Sequence, residues 1–265
     1  KILSEIEKHE NEFCYQSAID KYKLLLDRYP DHTIFCSYQL GAIYQTKLGF
    51  GNEAKKKYLN VIEWNKKHPH FMQDNLTARK EIDKIVANTY ENLSTLSDSY
   101  HEMFDWAKKL WEINPTEDIL RETIESTKNA QKKGIPWRQT YFELAQLYWN
   151  AEPSKDPGLH GFGASIYERL LINRKKFRLD RLLFRYCANG YAGLMTLIIS
   201  KIGQNMERKF GYVLQSEINF ILDKPITLLN EYLELNSNDN RVKENLDFLY
   251  EVKKKANGEN KTGRK

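Results

Sequence analysis

The sequence predicts an all-α protein, and three observations carry that prediction. The 265 residues include only 13 glycines and 7 prolines, a proportion that suits long helices joined by short connections. Apolar residues recur at spacings of three and four, as at Ile19, Tyr22, Leu26 and Tyr29. Finally, no convincing run of alternating β-branched residues occurs, so we expect no sheet.

Turn residues set the ends of the predicted helices. Proline stops a helix at Pro30 and again at Pro115, and residues 97–99 (Ser-Asp-Ser) supply a turn and an N-cap before Tyr100. The longest irregular stretch is residues 150–161, and the tail 256–265, rich in Gly, Asn and Lys, is predicted to be disordered. The first predicted helical stretch ends at residue 29. The other predicted helices cover residues 34–47, 53–66, 77–96, 100–113, 117–131, 137–149, 162–173, 179–202, 211–222, 225–235 and 241–255.

A glycine in the middle of the second of these helices needs a reason. Glycine inside an exposed helix costs roughly 1 kcal/mol relative to alanine, so Gly41 is expected to lie where another helix packs closely. The same arrangement, a small residue followed three positions later by tyrosine, recurs twice. The three copies are Leu40-Gly41-x-x-Tyr44, Leu144-Ala145-x-x-Tyr148 and Cys187-Ala188-x-x-Tyr191.

A second pattern falls on other helices of the chain. Its copies are Ala18-x3-Tyr22-x2-Leu25-x4-Pro30, Met103-x3-Ala107-x2-Leu110-x4-Pro115 and Gly163-x3-Tyr167-x2-Leu170. Together the two half-patterns resemble the tetratricopeptide repeat family, whose unit of about 34 residues carries W-x2-L-G-x2-Y on its first helix and A-x3-F…P on its second.

The resemblance implies a right-handed α-solenoid of antiparallel helix pairs with irregular insertions, forming a single domain over residues 1–255. In such a fold the small residues Gly41, Ala145 and Ala188 lie where the two helices of one pair come closest. Stacked pairs form a curved array, and its concave surface is suited to holding an extended peptide or another helix.

No catalytic pattern is recognisable in the sequence. The six histidines are scattered, without a His-x3-His or His-Glu-x-x-His arrangement, and the three cysteines form no Cys-x-x-Cys pair. No Gly-x-Ser-x-Gly motif occurs, and no glycine-rich phosphate loop follows a strand. We therefore expect neither an enzyme nor a bound cofactor or metal.

Basic residues are concentrated between positions 174 and 185: Arg174, Lys175, Lys176, Arg178, Arg181 and Arg185. Spacings of three and four would place Arg178, Arg181 and Arg185 on one helical face, where they could bind phosphates or an acidic peptide. The alternative is a solvated loop followed by a helix N-terminus, where positive charge opposes the helix dipole. The cluster is a candidate binding patch.

These observations predict an interaction scaffold that binds a peptide or partner protein in the concave groove. A peptide-sensing regulator with an output domain outside this chain, or a nucleic-acid-binding protein that uses residues 174–185, are the alternatives. The net charge of +5 is too small to indicate nucleic acid by itself. The most apolar run, residues 186–200, is shorter than the roughly 20 residues of a membrane span, so we expect none. Few cysteines favour a cytoplasmic location over export.

Overall fold

The computed structural model describes residues 2–72, 74–113, 118–150 and 158–258, and within these ranges it contains helices and no strand. The prediction of an all-α protein is confirmed for this part of the chain. A 3-10 turn at Pro30–His32 and a π-helix at Ile43–Lys47 accompany the α-helices. The described part of the chain has thirteen α-helices: α1 (Ile2–Asn11), α2 (Tyr15–Arg28), α3 (Thr33–Ala42), α4 (Gly51–Lys67), α5 (Leu76–Thr95), α6 (Tyr100–Ile113), α7 (Asp118–Lys132), α8 (Trp137–Trp149), α9 (Leu159–Ile172), α10 (Arg174–Phe177), α11 (Arg181–Phe210), α12 (Gln215–Leu235) and α13 (Asn240–Gly258).

Several helix ends differ from the prediction. The α-helix predicted over 34–47 ends at Ala42 and continues as the π-helix. The helices predicted over 211–222 and 225–235 are one helix, α12, with Pro225 inside it. Proline removes only its own N–H, and the segments on both sides of it bury a common apolar face. That face consists of Ile218, Ile221, Leu222, Ile226 and Leu229.

Both stretches predicted to be irregular are partly helical. α9 begins at Leu159, inside the stretch predicted as loop, and residues 151–157 lie outside the described part of the chain. At the C-terminus, α13 extends to Gly258, so the predicted disorder is wrong for residues 256–258. Ala256 is only 3% exposed, and this burial explains the longer helix. The rest of the predicted tail, residues 259–265, is not described.

The predicted N-cap before α6 is present. The backbone N–H of Glu102 donates to the Ser99 Oγ at 3.1 Å, and the Glu102 carboxylate accepts from the Asp98 N–H at 2.7 Å. These two bonds satisfy donors that an isolated helix start would leave unpaired. The turn between α5 and α6 is therefore well fixed. It holds Asp98, the centre of an ion-pair network, in place.

Consecutive helices pack in pairs, namely α1 with α2, α3 with α4, α5 with α6, α8 with α9 and α12 with α13. Two further contacts join helices that are far apart along the chain: α9 packs on α4 and on the π-helix, and α12 packs on α2. In a simple solenoid each repeat contacts only its neighbours. These two contacts therefore bring the later helices back onto the earlier ones, and one apolar cluster extends from Ile6 to Ala256.

The contact between α4 and α9 depends on glycine. A Cβ atom on Gly51 would lie 2.3 Å from the Ser165 carbonyl oxygen, and one on Gly161 would lie 2.1 Å from the Thr46 carbonyl oxygen. Both obstacles are backbone atoms, which cannot move aside as a flexible side chain would. The segment 46–51 and the first half of α9 are thus in direct backbone contact.

The helix α11 lies at the centre of the C-terminal half. It contacts α9, α12 and α13, and its buried side chains include Cys187, Ala188, Tyr191 and Met195. By length and composition α11 could also cross a membrane, and half of its most apolar window is buried within the protein. A core helix of a soluble protein satisfies the same criteria. The predicted absence of a membrane span stays a prediction.

The predicted small positions lie at helix contacts in this structure. Gly41 in α3 faces α4, where its Cβ would lie 2.6 Å from the Tyr58 ring. Ala145 in α8 faces α9, because a Cβ on Gly163 would lie 3.4 Å from the Ala145 carbonyl oxygen. Ala188 in α11 is fully buried. Of the bulky positions beside them, Leu40, Tyr44 and Tyr191 are buried, whereas Leu144 and Tyr148 are half-buried.

Candidate functional site

A cleft of about 850 Å³ opens between the end of α9, the short helix α10, the start of α11 and one face of α12. Its walls combine apolar residues with charged ones. The apolar lining consists of Leu171, Ile172, Phe184, Leu228 and Tyr232, and the charged lining consists of Arg174, Lys175, Lys176, Lys224, Asp223 and Glu231. Four cations against two carboxylates give the cleft a positive balance.

The predicted basic cluster does not form one surface. Arg174, Lys175 and Lys176 line this cleft, whereas Arg181 and Arg185 line a separate cavity of about 410 Å³ beside Asp239. Asp239 is the residue before α13, where its carboxylate accepts a hydrogen bond from the Tyr232 hydroxyl at 2.8 Å. The helix predicted over residues 179–202 begins at Arg181, after the separate helix α10 has ended at Phe177, and the cluster is divided between these two helices.

Arg178 does not share a helical face with Arg181 and Arg185, so that part of the prediction is wrong. Arg178 ends α10 in the left-handed conformation, with φ 51°. α11 begins only after Asp180, whose side chain caps it by accepting from the Leu183 N–H at 2.8 Å. A chain reversal between the two helices therefore separates the three arginines.

Several cations of the cluster already have partners. The Lys176 ammonium is 2.7 Å from the Asp98 carboxylate, and the Arg185 guanidinium is 3.2 Å from that of Asp239. Arg174 lies over the Phe184 ring at 5.1 Å from the ring centroid. The remaining three, Lys175, Arg178 and Arg181, are exposed and make no ion pair with the described residues.

Asp98 joins the cleft to the protein interior. Its carboxylate accepts from the Lys55 ammonium at 3.1 Å, from Lys176 at 2.7 Å and from the buried Arg169 guanidinium. Burial alone would raise the pKa of Asp98, but the three cations outweigh burial and lower it to about 2. Lys176 is thus fixed on the cleft wall by a carboxylate that stays ionised at neutral pH.

Lys224, on the opposite wall, is held in a similar way. Its ammonium pairs with the carboxylates of Glu53 and Glu168, and Glu168 is fully buried. Burial raises the pKa of Glu168, the Lys224 charge opposes this rise, and the Glu53 charge adds to it. The Asn52 backbone N–H, at the start of α4, also donates to Glu168 at 3.0 Å. Glu168 therefore connects α4, α9 and α12 behind the cleft.

None of the three cysteines lines the cleft. Burial raises the thiol pKa of Cys14 and of Cys36 to about 11, and it also raises that of Cys187. These cysteines therefore remain protonated at neutral pH and are weak nucleophiles. The cleft provides an apolar floor, a guanidinium over an aromatic ring, and two ammonium groups paired with the partly buried Asp98 and the fully buried Glu168.

The residues that fix these cations were not predicted. Asp98, Glu168, Arg169 and Lys224 belong to no repeat pattern and to no charge cluster. One signal was present: Glu168 and Arg169 interrupt the otherwise apolar segment 164–171, and charged residues on a buried helix face need partners. The identity of those partners depends on helix packing, which the local sequence does not reveal.

Comparisons of the chain with family models, with curated proteins and with solved structures gave no match. The resemblance to tetratricopeptide repeats therefore rests on the residue patterns of this sequence. The chemistry of the cleft is the basis on which a function can be inferred.

Proposed function

We propose that this protein is an interaction scaffold, built on divergent tetratricopeptide-like helix pairs, that holds a peptide segment of a partner protein in the cleft between α10 and α12. One observation carries the proposal: an apolar floor lies beside two lysines that are paired with carboxylates, one partly buried (Asp98) and one fully buried (Glu168). A volume of about 850 Å³ is within the range of binding clefts. Because the walls are fixed in advance, little ordering entropy is lost on binding.

The chemistry of the lining selects the kind of peptide. Leu171, Phe184 and Leu228 favour aliphatic or aromatic side chains. Arg174 and Lys175 favour carboxylates, and a guanidinium binds a carboxylate through two parallel hydrogen bonds. The ligand is therefore a segment in which acidic and large apolar residues alternate at short spacing.

Nucleic acid is the weaker candidate. Binding to a phosphate backbone requires several cations free to contact it. Lys176 and Arg185 are engaged with Asp98 and Asp239. Of the remaining cations, Arg174 and Lys175 line one cavity, Arg181 lines the other, and Arg178 lines neither of these two. An acidic peptide that contacts only one cavity fits this arrangement of cations better than a nucleic-acid backbone does.

The experiment is selection of random displayed peptides on the immobilised protein, followed by fluorescence anisotropy of an enriched peptide. We expect enriched sequences that combine Asp or Glu with Leu, Ile or Phe. Arg174→Ala should weaken binding by about 10-fold or more, since a charge-assisted hydrogen bond contributes about 1.5–3 kcal/mol. Leu228→Ala should also weaken it. The matched control, Lys254→Ala, removes one exposed positive charge on α13 and should bind like the wild type.

Two results would contradict the proposal. One is the absence of any enriched peptide, or equal affinity of the wild type, R174A and L228A for those obtained. The other is tight binding of a labelled single-stranded oligonucleotide whose affinity falls steeply with salt and depends on Arg178 and Arg181. That second result would favour the nucleic-acid alternative.

A further inference from the structure

Three side chains with metal-binding atoms meet at the turn between α1 and α2, a region that the proposed peptide cleft does not use. They are His9, Glu12 and Cys14, and one ligand atom of each lies within 4.8 Å of the others. They offer an imidazole nitrogen, a carboxylate oxygen and a sulfur. The thiol is buried, whereas the other two side chains are half-buried.

The backbone of the turn produces this arrangement. The N–H groups of Glu12 and Cys14 both donate to the His9 carbonyl oxygen, at 3.1 and 2.9 Å. Phe13 between them has the left-handed conformation, with φ 60°. This closure folds the residues after α1 back over its last turn, so that Cys14 comes to lie beside His9 although five positions separate them. The spacing His-x2-Glu-x-Cys therefore brings its three donors together only when the turn has formed.

Neighbouring groups hold the turn in place. The Glu217 carboxylate, from α12, accepts from the backbone N–H groups of Gln16 and Ser17 at 2.7 and 3.1 Å, and so anchors the start of α2 directly after Cys14. The Lys209 ammonium lies 3.4 Å from a Glu12 carboxylate oxygen. The Lys209 contact is of the kind that orients a ligating carboxylate, whereas Glu217 holds the backbone next to Cys14.

We propose that His9, Glu12 and Cys14 bind one Zn²⁺ ion, with water in a fourth position. Nitrogen, oxygen and sulfur donors together suit this borderline-soft cation. Metal–ligand distances of about 2.0–2.3 Å place the donor atoms of a tetrahedral site about 3.4–3.8 Å apart. Small side-chain rotations that move the donor atoms by about 1 Å are therefore sufficient to form the site. On binding, the Cys14 thiol gives up its proton to solvent, its weak hydrogen bond to the Glu12 carbonyl oxygen breaks, and a sulfur–zinc bond forms.

The experiment is a titration of the tag-free, metal-free protein with Co²⁺, which reports thiolate ligands through a near-ultraviolet charge-transfer band. We expect the band to saturate at one equivalent and to disappear when Zn²⁺ is added. Cys14→Ser should abolish the band, and His9→Ala and Glu12→Gln should each weaken binding by about 10-fold or more. The controls Cys36→Ser and Cys187→Ser alter the other two buried thiols and should leave the band unchanged.

A second readout keeps the proposal testable if a variant folds poorly. Zn²⁺ should raise the thermal midpoint of the wild type and of C36S, because a ligand that binds only the folded state stabilises it. Zn²⁺ should not raise the midpoint of C14S, and it should raise that of E12Q less than that of the wild type at the same Zn²⁺ concentration. Absence of a charge-transfer band in the wild type, or a band retained in C14S and lost in C187S, would overturn the assignment. The peptide-binding proposal is independent of either outcome.

Discussion

Replacement of Gly41 by alanine tests the physical basis of the helix pairs. In the structure a Cβ at this position would lie 2.6, 2.8 and 2.9 Å from three atoms of the Tyr58 ring. Carbon atoms in contact prefer about 3.5–4.0 Å, so the ring would have to move by about 1 Å. Tyr58 is fully buried, and its ring also lies 6.1 Å from that of Tyr38, so the surroundings resist this movement.

Two effects of opposite sign determine the magnitude. Alanine is favoured over glycine in a helix interior by about 1 kcal/mol, which alone would stabilise the variant. An extra methyl group forced into a well-packed core costs about 1–3 kcal/mol. Because the clash involves a buried ring, we expect the upper part of that range. Gly41→Ala should therefore lower the free energy of unfolding by about 1–2 kcal/mol.

The chain contains a matched control for this substitution. Gly203 lies inside α11, and a Cβ added there would meet no atom within 4 Å. Gly203→Ala retains the gain in helix propensity without the clash, so it should raise the free energy of unfolding by about 0.5–1 kcal/mol. Urea unfolding followed by far-ultraviolet circular dichroism measures both variants, and their opposite signs are the expected result.

The reasoning would be refuted if G41A were as stable as G203A or more stable than the wild type. A double variant adds a stricter test. Tyr58→Leu removes the ring and leaves space near residue 41, so in that background Gly41→Ala should cost little or even stabilise. A coupling free energy near zero between the two substitutions would mean that the cost of G41A arises elsewhere.

Two further predictions concern the buried charges. The pKa of Asp98 is lowered from 3.8 to about 2, so its contribution of about 2 kcal/mol is complete above about pH 5 and is lost as the pH falls through 4 towards 2. The stability difference between the wild type and Asp98→Asn, measured by urea unfolding, should therefore shrink between pH 4 and pH 2; a difference independent of pH would contradict the ion-pair network. Glu168→Gln breaks a buried pair with Lys224 and should lower the free energy of unfolding by about 2–3 kcal/mol in the same assay. The control Glu63→Gln, in an exposed pair, should cause no measurable loss of stability. Equal effects of the two substitutions would contradict the role of the buried pair.

The helices could be predicted from the sequence because their signals are local. Apolar spacing and stop residues locate α6 and α8 at the predicted bounds, Tyr100–Ile113 and Trp137–Trp149. Where a stop signal competed with burial, the local prediction was wrong. The sequence predicts a helix boundary before Pro225, yet α12 continues through it because the apolar face on both sides is buried. Burial of this apolar face in the tertiary structure outweighed the local tendency of proline to end a helix.

The candidate site was only half predicted. The basic residues 174–176 were identified from their charge, and three of the cleft's four cations come from them. Their division from Arg181 and Arg185 depends on the left-handed Arg178 and on the cap supplied by Asp180. An arginine in the left-handed region is uncommon, so periodicity could not anticipate the chain reversal.

The contact between residues 46–52 and α9 shows why long-range contacts could not be predicted from local sequence patterns. Gly51 is required in this segment because the backbone of α9 lies against it. Once α9 is that close, Glu168 and Arg169 are removed from water and must find partners, which they do in Lys224 and Asp98. Those partners in turn fix both walls of the cleft. The close approach of two backbones, the buried charges and the shape of the candidate site are thus one connected feature, and disrupting any part of it should alter the other two.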